Sequence, residues 1–240
     1  GSPSHYNSAK RSIEKKRGLH VLGFLPRDKN LILEERHLGL IPADEKAPLA
    51  IFTKKLSDLV EENIDVDKII GISRKAQALP RFKKRLFIHN FTRNKVTIAI
   101  AKDRAFNFYY QDNLDILKQS GANLIEFSAL RDKMLPRGTD GLYIGGGFPE
   151  LFAEKLSENT ALKRDIYRKA KSGMPIYAEC GGLMYLVKEL TDFRNRNFPM
   201  VGVFDESVKM SHGLRTFGYV NVRVRKNNIL SDRGATCKAH

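Results

Sequence analysis

The chain has 240 residues, 42% of them hydrophobic, which supports one large domain or two small ones, with neither a membrane-spanning apolar run nor a secretion signal. Because both of these segments are missing, we expect a cytoplasmic protein with no membrane partner. Its two cysteines lack disulfide or metal-ligand spacing, so no metal site is expected. The formal net charge of +15 suits an anionic ligand, but the basic runs lack the interleaved aromatic residues of a base-stacking surface, so no nucleic-acid partner is expected.

The first part of the chain, residues 1–78, contains a few predicted elements around a charged segment without clear period, PRDKNLILEERHLGLIPADEKA. A helix is predicted over residues 8–18, and a short buried strand over the apolar run at 19–26. A long amphipathic helix follows over residues 48–63, and a short helix or turn over 65–73. One strand and a few helices do not make a complete domain.

Residues 79–95 are basic and without clear period, which is typical of a linker between domains. From residue 96 onward, predicted strands and helices alternate. This alternation builds a parallel sheet covered by helices, and the lack of a polar face on the strands agrees with burial on both sides. The predicted strands are VTIAIAKD, NLIEFSAL, GLYIGGG and MPIYAEC, and the predicted helices are DNLDILKQSG, LFAEKLSENTALKRDIYRKAKSG and GGLMYLVKEL.

Cys180 stands where a buried strand meets a helix, and two glycines follow it in the sequence IYAECGGLMYL. A tight turn there pushes the sulfur out at the carboxyl edge of the sheet, where ligands bind in open α/β folds. The helix N-terminus favours the reactive thiolate, and the amide of Gly181 points towards the place where an oxyanion would form. The competing interpretation is a small buried hydrophobe at a strand end.

A glycine triplet at residues 145–147 follows another apolar strand, ahead of a helix that starts near Pro149. Its backbone amides can face the same edge of the sheet as Cys180. A glycine triplet alone indicates only a tight turn. The triplet and the strand–cysteine–helix turn together are more specific, and they favour a cysteine nucleophile beside an oxyanion site.

Five blocks of the chain resemble, in order, the class I glutamine amidotransferase domain of cobyrinate a,c-diamide synthases. They are IAIAKDRAFNFYYQDNLDIL, FSALRDKMLP, DGLYIGGGFPELFAEKLSEN, PIYAECGGLMYL and PMVGVF. The earlier blocks GSPSHYNSAKRSIE, VLGFLPRD and EERHLGLIPA resemble the end of the same family's ATP-dependent synthetase domain. The resemblance implies a flavodoxin-like amidotransferase domain over residues 96–240, truncated at its C-terminus. It implies that residues 1–78 are the C-terminal remnant of a P-loop, dethiobiotin synthetase-like α/β domain.

By this resemblance Cys180 is the glutaminase nucleophile, and the backbone around Gly146, Gly147 and Gly181 forms the oxyanion site that receives glutamine. The thiolate attacks the glutamine amide, a glutamyl thioester forms, and the released ammonia passes to the synthetase domain. There it attacks a carboxylate that ATP has activated.

Four further residues are candidates for contact with substrate or with the domain interface. Arg104, Asn107 and Tyr109 follow the first strand of the amidotransferase domain. His37 lies in the EERHLGL block, and by the resemblance we expect it to help line the synthetase site. Glu179 is next to Cys180, but neighbours in a strand point to opposite faces, so we expect a structural or interface role for it.

The chain departs from the family's pattern in two places. It has no G-x-x-x-x-G-K-[ST] phosphate loop, so the part that would hold ATP and Mg²⁺ is missing, and only the full-length enzyme would bind them. The family's activating base is the second histidine of a His-Glu-aromatic-His motif, whereas His240 matches the first. His240 lies downstream of Cys180 as the fold order requires, so it stays a candidate base. We expect a fragment that is inactive or weak alone.

The family amidates the a and c side chains of cobyrinate in cobalamin biosynthesis. The resemblance implies glutamine and a corrinoid or related tetrapyrrole carboxylate as ligands, and a homodimer as the assembly. Three alternatives stay open: a Ni-sirohydrochlorin a,c-diamide synthase of coenzyme F430 biosynthesis, a cobyric acid synthase-like amidotransferase, and a non-catalytic module that binds a tetrapyrrole or a partner. The turn at Cys180 argues against the last of these.

Overall fold

The computed structural model describes residues 3–29, 31, 46–79, 96–213 and 218–239. The chain divides into two compact units, Gly1–Lys83 and Lys84–His240, and the division falls inside the segment predicted as a linker. The domain bounds given above stay a prediction. No helix in the described ranges is long and apolar enough to cross a bilayer.

The described part of the first unit is helical. Its helices are α1 (Pro3–Arg17), α2 (Lys46–Asn63) and α3 (Val66–Arg74). The strand predicted over residues 19–26 does not form, because Gly23 makes only an isolated bridge to Ile64 at the end of α2. An apolar run becomes a strand only where a neighbouring strand accepts its backbone hydrogen bonds, and here a helix end lies beside it.

The second unit contains eleven strands and four α-helices within its described residues. The strands are β1 (Thr97–Ala101), β2 (Phe106–Phe108), β3 (Asn123–Phe127), β4 (Gly141–Ile144), β5 (Gly146–Gly147), β6 (Ile176–Ala178), β7 (Glu189–Thr191), β8 (Asn197–Pro199), β9 (Ser207–Lys209), β10 (Val220–Arg223) and β11 (Thr236–Ala239). The helices are α4 (Gln111–Gln119), α5 (Ala153–Glu158), α6 (Thr160–Lys171) and α7 (Gly181–Leu186), with a 3₁₀ helix over Pro149–Phe152.

Four of these strands form a parallel sheet in the order β3–β1–β4–β6. Side chains along each strand alternate between the two faces, as the pleat requires. On β1, Ala99 and Ala101 join one core while Ile98 and Ile100 join the other. The prediction of an α/β fold with a parallel sheet flanked by helices is confirmed.

The two faces of the sheet are covered unequally. The larger core lies under α5, α6 and α7, and its side chains include the fully buried Leu156, Leu162, Ile166 and Tyr185. The smaller core lies under α4 and centres on Leu114. Because the four strands are parallel, their carboxyl ends lie at one edge of the sheet, and the turns that follow them meet there.

Two predicted helices are shorter than the sequence pattern suggests. The helix predicted over residues 151–173 is broken at Asn159, whose side-chain amide donates to the carbonyls of Ala129 (2.9 Å) and Asp132 (2.8 Å). The helix predicted over residues 181–190 ends at Leu186, and its last part becomes the strand β7, paired with β8 and β9. In both cases a tertiary hydrogen-bond partner outweighs helix propensity.

Asp165 on α6 is a buried carboxylate that holds the loop before β4. One oxygen accepts from the N–H of Leu135 at 3.0 Å and the other from Arg168 at 2.6 Å, with Lys169 3.4 Å away. Burial pushes the pKa of Asp165 up, but the Leu135 amide and the two cations outweigh it and hold the pKa below its ordinary value. The ionised form is therefore the one that stabilises the fold.

Replacing this carboxylate, Asp165→Ala, is expected to lower the free energy of unfolding at pH 7 by about 1–3 kcal/mol, because the Leu135 amide loses its acceptor in a buried position. Urea unfolding followed by near-UV circular dichroism of tyrosine measures this, since seven of the eight tyrosines lie in Lys84–His240.

The matched control is Glu158→Ala, which removes an exposed carboxylate from α5 and is expected to change stability by less than about 0.5 kcal/mol. Because the folded pKa of Asp165 is depressed, its contribution is present above the unfolded value of about 3.9 and is lost as pH falls through the folded pKa. A difference between wild type and Asp165→Ala that persisted unchanged in acid would contradict this account.

Candidate active site

Cys180 lies at a sharp turn between β6 and α7. Its φ of 51° and ψ of −119° lie outside the regions that ordinary L-residues occupy. The cysteine is exposed, although the helix that follows it packs into the larger core. A strained backbone under an exposed nucleophilic side chain, at a strand-to-helix turn, is the geometry of a nucleophile elbow.

The close packing of α7 against the end of β4 holds this turn in place. A Cβ on Gly182 would lie 2.3 Å from the carbonyl oxygen of Ile144 and 2.9 Å from that of Gly145. The amide of Gly182 donates to the carbonyl of Glu179 at 2.9 Å, which closes the turn around Cys180. Because the obstructing atoms are backbone, only glycine lets α7 begin this close to the sheet.

The glycine loop, Gly145–Gly147, lies directly beside the turn. It leaves β4, and its last two residues form β5, which pairs with β2. A Cβ on Gly146 would lie 3.7 Å from the Cβ of Cys180, and one on Gly181 would lie 2.8 Å from the carbonyl oxygen of Gly147. The structure therefore brings together all four residues that the sequence assigned to the nucleophile and the oxyanion site.

Asp103 organises the loop that faces this pair of turns. Its Oδ1 accepts from the amides of Ala105 (2.9 Å) and Phe106 (3.2 Å). Its Oδ2 accepts from the hydroxyl of Ser128 and the amide of Leu130, each at 2.9 Å. One carboxylate thus joins the segments that follow β1 and β3. Asp103 was not among the predicted site residues. An aspartate just after a buried strand is nevertheless a sequence signal for a turn in which the carboxylate accepts from backbone amides two or three residues later.

Glu179 turns its carboxylate to the α4 side of the sheet. Tyr143 donates to one oxygen at 2.6 Å and Tyr177 to the other at 3.3 Å, and both tyrosines belong to the smaller core. Burial, and then the neighbouring Glu179 carboxylate, raises the pKa of both tyrosines, so their hydroxyls stay protonated donors. These contacts agree with the structural role predicted for Glu179.

The three predicted substrate contacts lie along the segment after β1. Arg104 is exposed, and its guanidinium lies over the ring of Phe152, 5.3 Å from the centroid. Asn107 is half-buried in β2. Tyr109 is half-buried too, and its hydroxyl bonds to two backbone groups. Their predicted contact with substrate stays a prediction.

Two predicted histidines, His37 and His240, lie outside the described residues. Within them, His212 packs its ring against Phe193, with centroids 5.2 Å apart. His5 and His20 belong to the first unit.

The arrangement has the parts needed for acyl chemistry. An exposed thiol can attack a carbonyl carbon. The backbone of the glycine loop and of Gly181 lies close to that thiol, and backbone amides are groups that can stabilise a developing oxyanion. Among the residues the structure describes, no three His, Cys, Asp or Glu side chains group as a metal site.

Comparison with known proteins agrees with this chemistry. A family model described as "CobB/CobQ-like glutamine amidotransferase domain" matches residues 97–240. A cobyrinate a,c-diamide synthase of Caldanaerobacter subterraneus subsp. tengcongensis is 45% identical over the whole chain, which covers 52% of that protein. Proteins of the same name from Dehalococcoides mccartyi and Listeria innocua are 44% and 40% identical, with the same coverage. The chain thus spans about half the length of the curated relatives it matches.

Two solved structures show a loose likeness to the chain. A crystal structure of a glutamine amidotransferase aligns with a TM-score of 0.37 and 18% identity, over 52% of this chain and 62% of that one. A peptidase E protein from Listeria monocytogenes aligns with a TM-score of 0.36 and 16% identity, over 50% and 67%. Alignments this loose carry no argument about the site.

Replacing Gly182 by alanine is expected to displace α7 from β4 or to destabilise the second unit by about 1–3 kcal/mol, because the new methyl group meets two backbone carbonyls. The rate at which iodoacetamide alkylates Cys180, read by peptide mass spectrometry, reports on the displacement, and tyrosine circular dichroism reports on the stability.

Gly141→Ala is the matched control on the same sheet, since a Cβ there would meet its nearest atom at an ordinary 3.6 Å. The explanation is contradicted if Gly182→Ala has the stability and the alkylation rate of the wild type. That result would mean that α7 does not need the close contact between Gly182 and the end of β4.

Proposed function

Because the chain belongs to the CobB/CobQ-like glutamine amidotransferase family, we propose that it releases ammonia from glutamine with Cys180 as the nucleophile. The observation that carries this proposal is the exposed thiol at a strained strand-to-helix turn, with the glycine loop against it. A buried structural cysteine would need neither the strain nor the glycine contacts.

In the proposed reaction the Cys180 thiolate attacks the side-chain amide carbon of glutamine, and the carbonyl π electrons move to oxygen. The backbone of Gly146, Gly147 and Gly181 receives that oxyanion. When it collapses, the C–N bond breaks, and the nitrogen takes a proton and leaves as ammonia. Water then adds to the thioester and displaces the sulfur, which yields glutamate and restores the thiolate.

The proton in this cycle needs a base that takes it from the Cys180 thiol and returns it to the leaving nitrogen. We assign this task to a histidine outside the described residues, with His240 as the candidate within the chain. A histidine suits the task because its pKa lies near neutrality, so it can both accept and return the proton.

We propose further that the natural protein containing this chain is a glutamine-hydrolysing cobyrinate a,c-diamide synthase, the name its relatives carry. The ammonia would attack the a and c side-chain carboxylates of the corrinoid after their activation by ATP. In this proposal the sites for ATP and Mg²⁺ belong to the part of the relatives' length that the chain does not span.

The substitution Cys180→Ala in the natural protein is expected to lower glutamine-dependent amidation by about a thousandfold or more, while ammonia-dependent amidation stays unchanged, because only the nitrogen source is lost. Both rates are measured on the same preparation by mass spectrometry of the corrinoid. Cys237→Ala is the matched control, since it removes the exposed cysteine of β11.

A second readout of this assignment is labelling by 6-diazo-5-oxo-norleucine, a glutamine-like electrophile, which is expected to form one adduct on Cys180 and none on Cys237. Loss of both the glutamine-dependent and the ammonia-dependent rate in Cys180→Ala would mean that Cys180 is structural. The absence of an adduct on Cys180 in wild type would reject the glutaminase proposal itself.

The substrate proposal predicts a higher kcat/KM for cobyrinate than for Ni-sirohydrochlorin when the natural protein is supplied with glutamine and ATP. The product is expected to carry amides at the a and c positions, which tandem mass spectrometry locates. Cobyrinic diamide offered as substrate is the control, because its a and c carboxylates are already converted. A higher kcat/KM for the nickel compound would instead favour a Ni-sirohydrochlorin a,c-diamide synthase.

A further inference from the structure

The side chain of Tyr109 connects the ends of two neighbouring strands beneath the candidate site. Its hydroxyl accepts a hydrogen bond from the amide of Gly145 at 2.9 Å and donates one to the carbonyl of Ala101. Ala101 is the last residue of β1, and Gly145 directly follows β4. These two strands pair only as far as Ile100 and Tyr143. The hydroxyl therefore replaces the next hydrogen bond of the ladder, at the point where the glycine loop leaves the sheet.

The ring of Tyr109 also limits the position of the glycine loop, because it packs against Gly145. A Cβ on Gly145 would lie 2.6 Å and 2.7 Å from two ring carbons of Tyr109, and 2.8 Å from the carbonyl oxygen of Phe108. The backbone of Gly145 therefore lies against the ring with no room for a side chain between them. The next residue, Gly146, faces Cys180. If the ring or its hydroxyl shifted, Gly145 would shift with it, and so would the adjoining residue Gly146, which faces Cys180.

The surroundings of Tyr109 keep its hydroxyl in a form that can both accept and donate. The side chain is half-buried, and its ring packs edge-on against Tyr143 with centroids 5.1 Å apart. Burial raises the pKa of Tyr109, the amide of Gly145 lowers it to a smaller extent, and the carboxylates of Asp103 and Glu179 raise it further. The net pKa is well above its ordinary value, so the phenol stays protonated at any pH at which a thiolate and a histidine work.

We propose that Tyr109 is a positioning residue, whose hydroxyl aims the backbone of the glycine loop at the oxyanion formed over Cys180. The proposal rests on the glutaminase function proposed above. Tyr109 acts through Gly145 and needs no contact with glutamine. Its effect therefore falls on the transition state, where negative charge develops on the oxygen, and much less on the bound amide.

The test is Tyr109→Phe in the natural protein, measured by steady-state glutamine hydrolysis. We expect kcat to fall by about tenfold to a hundredfold with little change in KM, because a donor displaced by a fraction of an ångström stabilises the oxyanion less well. Alkylation of Cys180 by iodoacetamide needs no oxyanion site, so its rate is expected to stay at the wild-type value. The matched control, Tyr110→Phe, alters the 62% exposed neighbour and is expected to leave kcat unchanged.

Restoring a group that both donates and accepts provides the second variant. Tyr109→4-aminophenylalanine is expected to recover most of the lost kcat, which distinguishes a missing hydrogen bond from a general loss of folding. The inference is overturned if Tyr109→Phe keeps the wild-type kcat, if only KM rises, or if the amino variant of normal thermal stability recovers nothing. Wild type that hydrolyses no glutamine would instead reject the proposed function, so the two failures are distinguishable.

Discussion

The contact between Gly182 and the carbonyl groups at the end of β4 is the constraint on which the rest of the site depends. With 2.3 Å between the oxygen of Ile144 and the place of a Cβ, the first turn of α7 can pack against the sheet only through a bare backbone. Because the helix starts so close to the sheet, the residue before it must turn sharply. Cys180 carries that turn, with its positive φ, and its side chain is thereby exposed.

The segments opposite Cys180 are held by polar side chains that bind backbone. Asp103 joins the loops after β1 and β3 through four hydrogen bonds, and Tyr109 joins the ends of β1 and β4. Some backbone groups of these loops have no strand partner once the chain has left the parallel sheet, and side chains bind them instead. Of these bonds, the one between the Gly145 amide and the Tyr109 hydroxyl holds the glycine loop itself.

Glu179 and Cys180 are the two residues that follow β6, and they have different tasks. Two tyrosine hydroxyls hold the glutamate on the α4 side, while the next residue carries the exposed thiol. The tyrosines anchor the chain just before the strained turn, so the strain at Cys180 is opposed by bonds one residue away.

The sequence alone determined the family, which the comparisons confirm, and the alternation of strands and helices in the second unit, because both reside in local patterns. It also indicated that Cys180 and the glycines at 146, 147 and 181 share one edge, since the carboxyl ends of parallel strands meet there. Only the tertiary structure decided that the apolar run at 19–26 is no strand and that Asn159 interrupts a helix. It also decided that Asp103 reaches the segment after β3 and that Tyr109 joins the ends of β1 and β4. Each of those outcomes depends on whether residues distant in sequence supply a hydrogen-bond partner. A local sequence pattern does not contain that information.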